Sequence, residues 1–253
     1  MSLQSPIIDA QLILHRGASA YAPENTLEAL HLAADMGAKW VETDVRIIAG
    51  DALIMMHDDE VNRTTDGTGM AAHFTLEEMK ALDAGGWFSA EYKDCRVPTL
   101  KEYLDVAQVR HLGVVLELKA VAGWEENYAH LVCREIEDSW KVDPQRLVIS
   151  SFSERCLKIA AKELPHYPRC LALTGLPDDA DERLREMDCD MIHMQHSFAR
   201  NNELTRLNTD NIEFAVATVN DTERAKYFLE NGASSVLTDK PDLFGPNGAG
   251  TAP

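Results

Sequence analysis

Short apolar runs alternate with stretches of helical period along most of this 253-residue chain. The apolar runs have the length and the Val, Ile and Leu content of buried strands, and the stretches between them have the spacing of amphipathic helices. Eight strands are predicted, at Leu12–His15, Trp40–Arg46, Val114–Lys119, Leu147–Ser150, Arg169–Leu173, Met191–Met194, Glu213–Ala217 and Ser235–Leu237. Seven helices are predicted between them, at Thr26–Met36, Leu100–Val109, Glu126–Trp140, Glu154–Leu164, Asp179–Met187, Asn201–Leu207 and Thr222–Glu230. Strands that alternate with helices pair in parallel through right-handed crossovers, so eight repeats predict a closed (β/α)8 TIM barrel.

One connection is much longer than the others. After the second strand, a hairpin return is predicted at Ala52–Met56, followed by turn-rich sequence and a short helix near Leu76–Leu82. A connection of this length in a compact barrel is usually a functional lid or a small inserted unit. We therefore expect an inserted segment at about residues 57–98 that caps the mouth of the barrel.

Length and composition fit one large globular domain. The chain is 45% apolar and 26% charged, with a mean hydropathy of −0.25, and barrels of this size are built around a single core. We expect the domain at residues 4–245 and a flexible tail at 246–253. No apolar run approaches the roughly 20 residues of a membrane span, and no signal-peptide order is visible, so a cytoplasmic location is expected.

The chain is strongly acidic, and this limits the classes of molecule that it can bind. Its 42 acids and 24 bases give a formal charge of −18, which repels nucleic acid and anionic membranes. We therefore expect neither as a partner, whereas a small anionic substrate is still compatible with a local cationic pocket. The five cysteines have no CxxC spacing and predict neither a disulfide framework nor a zinc site. The sequence leaves a homo-oligomer open.

Three acids lie near the ends of two predicted strands. Glu42 and Asp44 are two residues apart on the second strand, and Glu117 lies on the third. Side chains two apart point to one side of a strand, so Glu42 and Asp44 are predicted to face the barrel axis. Three oxygen ligands suit one hard divalent cation, Mg²⁺ or Ca²⁺, with Mn²⁺ as a further candidate. The alternative is that these are ordinary solvent-facing acids.

Two histidines accompany these acids. His15 ends the first strand and His57 ends the hairpin return. Because imidazoles titrate near neutrality, such a pair beside a metal can supply the general acid and the general base of a hydrolase. The alternative for each is a structural imidazole. His193 and His196 lie on a strand and its following loop, and are further candidates for the pocket.

Arg16 and Lys119 are predicted to be inward-facing cations next to the acids, where a phosphate group would satisfy both. The alternative is internal pairing, with Arg16 on Glu24 or Lys119 on Glu42.

The start of the first helix has its own signal. Asn25, followed three residues later by Glu28, is the arrangement of a helix N-cap with a capping box.

Taken together, these residues resemble the glycerophosphodiester phosphodiesterase family, most closely its cytosolic bacterial type. The matching strings follow family order over nearly the whole chain: His15-Arg16-Gly17, Pro23-Glu24-Asn25-Thr26, Glu42-Thr43-Asp44-Val45, His57-Asp58, Arg63-Thr64-Thr65, Asp83-Ala84-Gly85, Val97-Pro98-Thr99-Leu100, Glu117-Leu118-Lys119, Ser150-Ser151-Phe152, Thr218-Val219-Asn220 and Thr238-Asp239. Each string is weak alone, and their order makes the signal specific.

The resemblance implies metal-dependent hydrolysis of a small glycerophosphodiester to glycerol 3-phosphate and an alcohol. It implies one divalent cation on the three acids and acid–base catalysis by the two histidines. It also implies phosphodiester binding by Arg16 and Lys119, with Trp87 or Phe88 lining the wall of the pocket and Phe152 as a further substrate contact. One departure is visible: Ala217 stands where many members have Trp, which affects the expected shape of the pocket.

Two other functions fit parts of the same pattern. A lysophospholipase D on the same barrel would share the metal and the histidines, but would need an apolar channel for an acyl chain. A non-catalytic anion or metabolite sensor would keep the pocket, but would normally have lost one of the histidines or acids. Comparing the hydrolysis of glycerophosphocholine with that of lysophosphatidylcholine separates the first alternative, and phosphate-ester turnover separates the second.

Overall fold

Eight parallel strands close into a barrel in the computed structural model, which describes residues 6–245. The barrel strands are β1 (Leu12–His15), β2 (Trp40–Ile47), β4 (Gly113–Leu118), β5 (Leu147–Ser151), β6 (Arg169–Leu173), β7 (Met191–Gln195), β8 (Glu213–Ala217) and β9 (Ser235–Thr238). They are ordered β1-β9-β8-β7-β6-β5-β4-β2, and β1 also pairs with β2, which closes the ring. The predicted fold class is confirmed.

Helices cover the outside of this barrel. They are α1 (Leu27–Asp35), α3 (Leu100–Val109), α4 (Glu125–Ser139), α5 (Glu154–Glu163), α6 (Ala180–Met187), α7 (Asn201–Thr209) and α8 (Thr222–Glu230). All seven predicted helices are therefore present, and up to residue 245 no helix follows β9. In the part of the chain that the structure describes, none of the helices is both long enough and apolar enough to cross a bilayer.

The barrel strands alternate between two apolar layers. Val41 and Val45 pack outward against the helices, whereas Trp40 and Val115 belong to the cluster inside the barrel. Trp40 is fully buried at the bottom of the barrel and lies against Gly113, where a Cβ atom would come within 2.4 Å of its indole ring. Burying each large apolar side chain contributes roughly 1.5–3 kcal/mol. The packed floor leaves the other end of the barrel for polar side chains.

The long connection after β2 forms its own small unit. Strand β3 (Leu53–Met55) pairs antiparallel with the end of β2, and helix α2 (Leu76–Ala81) follows. The segment has a separate buried apolar cluster, formed by Ile48, Ile54, Met56, Val61, Ala71, Met79, Ala84 and Val97. The Met55 amide donates to the Pro98 carbonyl at 2.9 Å, so the two ends of the segment are fastened together beside β2.

The expected domain bounds stay a prediction. Residues 4 and 5 and the expected tail at 246–253 lie outside the described residues. Within 6–245, the barrel strands and the inserted segment contact each other through β2, because β2 pairs with β3 as well as with β1 and β4. The end of β2 is therefore the place where the inserted segment approaches the mouth of the barrel.

Candidate active site

Three carboxylates converge at the carboxyl end of the barrel. Glu42 and Asp44 face inward from β2, and Glu117 faces inward from β4, where it is the direct neighbour of Asp44 in the strand register. One oxygen atom from each carboxylate lies within 4.8 Å of the others. Glu42 and Asp44 are buried, with 2% and 1% of their surface exposed. The inward orientation predicted from the alternation along the strands is therefore confirmed.

The charges in this cluster are only partly balanced. Burial and the negative charges of Asp44 and Glu117 raise the pKa of Glu42 to about 8, and burial next to Asp44 also raises the pKa of Glu117. Asp44 is also buried, but Lys119 and Arg16 hold its pKa below the ordinary value. Buried carboxylates are costly unless a cation compensates them. An all-oxygen donor set with excess negative charge therefore fits a hard divalent cation.

Asn25 orients Asp44 and does not cap helix α1, so the predicted capping arrangement is wrong. Its amide Nδ2 donates to Asp44 Oδ2 at 2.9 Å, and its Oδ1 accepts from Thr43 Oγ1 at 2.8 Å. Its backbone is left-handed, with φ of 57°, a conformation that Asn tolerates better than most residues. The actual N-cap is Thr26, whose hydroxyl oxygen accepts from the Ala29 amide at 3.2 Å.

His15 is held by Asp239, at the end of β9. His15 Nδ1 lies 2.7 Å from Asp239 Oδ1, and Ser19 donates its hydroxyl to the same oxygen at 3.0 Å. Because a carboxylate only accepts, the proton lies on Nδ1 and leaves Nε2 to exchange protons. Burial lowers the pKa of His15, but the hydrogen bond to Asp239 and the charge of Glu42 outweigh it and raise the pKa above its ordinary value.

His57 is held in a similar way on the other side. Its Nδ1 lies 2.7 Å from Asp58 Oδ1, so Nε2 is again the free nitrogen. Arg46, buried on β2, donates from Nε to the His57 carbonyl at 2.9 Å and fixes the backbone of the loop. Burial, together with the positive charges of Arg16 and Lys119, lowers the pKa of His57 despite the nearby Asp44. The pKa of His15 is thus raised, whereas the pKa of His57 is lowered.

Arg16 and Lys119 both reach the acid cluster. Arg16 Nη1 pairs with Glu24 Oε1 at 2.7 Å, the internal pairing considered above, and its Nε lies 3.3 Å from Asp44. Lys119 pairs with Asp44 at 3.0 Å and also contacts Glu117, rather than Glu42. Both cations line the pocket, so internal pairing and phosphate contact are compatible at these positions.

The pocket at the mouth has a volume of about 210 Å³. Most of the predicted site residues line it: His15, Arg16, Glu42, His57, Glu117, Lys119 and Phe152. Asp44 does not line the pocket but lies buried against Lys119. Trp87 does not line the pocket either. This residue is 41% exposed, and its indole N–H donates to the Ala84 carbonyl at 2.9 Å. The roles of all these residues stay predictions. His193 also lines the pocket, whereas His196 does not.

Arg63, to which the sequence assigned no role, connects the two sides of the site. It donates to Asp58 Oδ2 at 2.6 Å and to Glu24 Oε2 at 2.6 Å. Arg63 therefore holds both the carboxylate that pairs with His57 and the carboxylate that pairs with Arg16. Its pairing with Asp58 keeps the pKa of that carboxyl well below the ordinary value. Only the folded chain brings Arg63 to Glu24, since they lie 39 residues apart.

We expect Arg63→Gln to lower kcat/KM by about tenfold or more, because groups that orient a catalytic shell typically contribute that much. The measurement is steady-state kinetics, together with thermal unfolding to verify the fold. Arg96→Gln is a matched control, since Arg96 is equally exposed and lies on the same segment, and its partners among residues 6–245 are the Ala81 and Leu82 carbonyls and Asp94. If Arg63→Gln had the same kcat/KM as Arg96→Gln, a role for Arg63 would be contradicted.

The fold and the position of the pocket at the carboxyl ends of the strands are those of a barrel enzyme. The model of the glycerophosphoryl diester phosphodiesterase family matches residues 15–243. The chain therefore belongs to this family, as its sequence motifs predicted. The match begins at His15, the first of the predicted site residues.

Similar proteins agree with this assignment. A glycerophosphodiester phosphodiesterase of Bacillus subtilis (strain 168) is 30% identical over 247 residues, which are 92% of this chain and 84% of the relative. A solved structure of an Oleispira antarctica phosphodiesterase in complex with the product sn-glycerol-3-phosphate is 36% identical, with a TM-score of 0.88 over 91% of this chain and 93% of that one. The glycerophosphodiester phosphodiesterase from Agrobacterium tumefaciens strain C58 is 29% identical, with a TM-score of 0.74 over 93% and 98% of the two chains.

Proposed function

We propose that this protein hydrolyses glycerophosphodiesters to glycerol 3-phosphate and an alcohol. The observation that carries the proposal is the convergence of Glu42, Asp44 and Glu117 at a pocket that is lined by two carboxylate-held histidines. The product bound to the Oleispira antarctica relative is sn-glycerol-3-phosphate, which supports the same product here. The pocket of about 210 Å³ is smaller than the roughly 300–1,000 Å³ of sites for drug-sized ligands, and this favours a small diester.

We propose that the three carboxylates hold one divalent cation, with Mg²⁺, Ca²⁺ and Mn²⁺ as candidates. When bound, such an ion neutralises negative charge that develops on the phosphoryl oxygens. Arg16 and Lys119 add positive charge from the same half of the pocket, and their pairing with Glu24, Asp44 and Glu117 holds them in place. The electrostatic part of catalysis is therefore preorganised by side chains that are already fixed.

The two histidines divide the proton transfers. His57, with its lowered pKa, is neutral near pH 7 and accepts a proton from the attacking oxygen at Nε2. His15, with its raised pKa, carries the proton that it donates to the leaving alcohol oxygen as the P–O bond breaks. Environments that push two pKa values apart are the usual way to assign a base and an acid. Asp58 and Asp239 keep each Nε2 directed away from its supporting carboxylate.

The proposal is tested by a coupled assay for released glycerol 3-phosphate. Wild-type protein is incubated with a panel of glycerophosphodiesters in Mg²⁺, Ca²⁺ or Mn²⁺, and then after chelation with EDTA. Turnover that disappears with EDTA and returns with added metal is expected. Lysophosphatidylcholine serves as the comparison substrate, and its preferential hydrolysis would contradict the proposal. A cytoplasmic location stays a prediction from the sequence, which leaves a homo-oligomer open.

We expect Asp239→Asn to narrow the pH range of activity from the alkaline side. The negative charge of Asp239 favours the protonated form of His15, so its removal lowers the pKa of His15. Since His15 acts when protonated, the alkaline limb of the kcat/KM profile should move down by about 1 pH unit, the size of shift produced by one adjacent charge. The acid limb, which follows His57, should stay in place. An unchanged alkaline limb would contradict the role given to His15.

A further inference from the structure

The two carboxylate oxygens of Asp239 face different partners. Oδ1 lies 2.7 Å from His15 Nδ1 and accepts from the Ser19 hydroxyl at 3.0 Å. Oδ2 accepts from the side-chain amide Nδ2 of Asn220 at 2.5 Å. Burial raises the pKa of Asp239, but the hydrogen bonds from its partners outweigh it and lower the pKa to about 2. Asp239 is therefore an ionised acceptor, and Asn220 binds the oxygen that is turned away from His15.

Asn220 holds Asp239 at two points. Its Oδ1 accepts from the backbone amide of Asp239 at 2.9 Å, while its Nδ2 donates to the carboxylate of the same residue. A backbone N–H only donates and a carboxylate only accepts, so these two partners fix which way the Asn220 amide is turned. The buried Thr238 hydroxyl donates to the same Oδ1 at 2.9 Å. Because one side chain binds both its backbone and its carboxylate, Asp239 is restrained to the orientation in which Oδ1 faces His15.

The backbone of Asn220 is anchored at the end of the barrel. The preceding residue, Val219, is buried, and its amide donates to the Leu237 carbonyl at 2.8 Å. This bond continues the pairing between β8 and β9 beyond the end of β8. The Asn220 carbonyl accepts from Lys240 Nζ at 3.1 Å. The side chain that binds Asp239 thus comes from backbone that the sheet holds in place.

A purely structural role explains only some of these contacts. Joining the loop after β8 to the end of β9 uses the Oδ1 acceptor of Asn220, which binds Thr238 and the Asp239 amide. The Nδ2 donor has the Asp239 carboxylate as its one partner among residues 6–245. Asn220 is exposed, so burial does not require an amide at this position. The donor is therefore the atom whose only contact is with the group that holds His15.

We propose that Asn220 is a positioning residue of the active site: it orients Asp239, which in turn keeps His15 in the tautomer and orientation that leave Nε2 beside the acid cluster. His15 Nε2 lies 4.0 Å from Glu42. The group behind an imidazole sets which ring nitrogen carries the proton and where the other points. Asn220 acts only through Asp239. This inference rests on the proposed function, since a loss of rate requires that His15 take part in the reaction.

The test is Asn220→Asp, which keeps the shape and the Oδ1 acceptor but replaces the donor to Asp239 with a second carboxylate oxygen. In the coupled assay, with the best diester of the panel, kcat should fall about tenfold or more, the usual value of one hydrogen bond to a charged group. KM should stay within about twofold of the wild-type value, because Asn220 does not line the pocket. Each kcat is taken at the variant's own pH optimum, so that a shifted pH profile is not counted as a lost rate.

Asn231→Asp is the matched control. Asn231 is also exposed, and its Nδ2 donates to the Tyr227 carbonyl at 2.8 Å at the end of α8. The change therefore removes one amide donor and adds one negative charge, as Asn220→Asp does, but away from Asp239. This variant should keep the wild-type kcat.

An exchange of the two side chains separates positioning from a structural role. Asp239→Asn alone places an amide opposite the Asn220 amide and the His15 N–H, so that one donor lacks an acceptor. In the double variant Asn220→Asp/Asp239→Asn, the new amide donates to a carboxylate again while its oxygen accepts from His15. The double variant should therefore have a kcat about fivefold or more above that of Asp239→Asn, although Asn220→Asp alone lowers kcat.

Thermal unfolding verifies the fold of each variant. If Asn220→Asp unfolds, Asn220→Ala, which removes the donor without adding a charge, is measured in its place and should show the same loss of kcat. A wild-type kcat in the folded Asn220 variant, a loss confined to KM, or a double variant no more active than Asp239→Asn would overturn this inference and leave the proposed function intact. Wild-type protein that releases glycerol 3-phosphate from no diester of the panel would overturn both.

Discussion

His15→Ala and His57→Ala are each expected to lower kcat by at least about a hundredfold while the fold is retained. General acid and general base groups typically contribute 10²–10⁴-fold to a rate. Both imidazoles line the pocket and lie outside the apolar clusters of the barrel, so truncation removes their chemistry without opening a cavity in the core. Steady-state kinetics and thermal unfolding measure the two effects. His31→Ala, an exposed change on α1, is the matched control.

The two variants should differ with the leaving group. A glycerol phosphodiester of 4-nitrophenol releases a stable phenolate that needs no proton, so His15→Ala should lose much less activity on it than on glycerophosphocholine. His57→Ala should lose about the same on both substrates, because the attacking oxygen still needs a base. Near-native rates of both folded variants would rule out the catalytic assignment. Losses that do not depend on the leaving group would rule out the division of roles.

The sequence predicts the barrel well because a buried parallel strand and an amphipathic helix each have a local signature. Every barrel strand was located to within a residue or two, since burial on both faces requires a continuous apolar run. The inward acids interrupt such runs at a position where apolar residues are expected. Glu42, Asp44 and Glu117 are recognisable for this reason from the sequence alone, without knowledge of the contact between β2 and β4.

The groups that orient the site were not predicted, because their partners are distant in the sequence. Arg46 holds the carbonyl of His57, Asp239 holds His15 from 224 residues away, and Arg63 reaches Glu24. Arg63 and Asp239 stand in strings that match the family, but a string does not show which distant side chain each residue contacts. At Asn25 a local pattern predicts a role that the structure does not have. The sequence fits a helix N-cap, but the left-handed backbone at Asn25 directs its side-chain amide to Asp44.

Glu42→Gln is expected to abolish metal-dependent activity and, without metal, to stabilise the protein at alkaline pH. The reason for the second effect is the raised pKa of Glu42, about 8 against an ordinary 4.5. Between these values, the folded metal-free protein binds a proton that the unfolded chain has released, so its stability falls as the pH rises. Glutamine has nearly the same shape and no charge, and its side-chain oxygen can still accept from the Arg16 amide, as Glu42 does at 3.2 Å.

Thermal unfolding in EDTA at pH 5 and pH 8.5 measures this effect. At pH 8.5, Glu42→Gln should unfold at least about 2 °C above the wild type, roughly the shift that 1 kcal/mol produces in a chain of this size, and the difference should shrink at pH 5. Glu182→Gln, an exposed change on α6, is the control. Added Mg²⁺ should raise the unfolding temperature of the wild type by mass action and have little effect on Glu42→Gln.

Kinetics of the same variant complete the test. Because a metal contributes several kcal/mol of charge stabilisation in such reactions, loss of one ligand should lower kcat/KM more than about a hundredfold. A variant that is inactive and yet more stable without metal indicates that Glu42 is kept for cation binding and not for the fold. A Glu42→Gln protein that is less stable than the wild type in EDTA at pH 8.5 would instead show that Arg16 and Lys119 already compensate the acid cluster, and that the carboxylates need no ion.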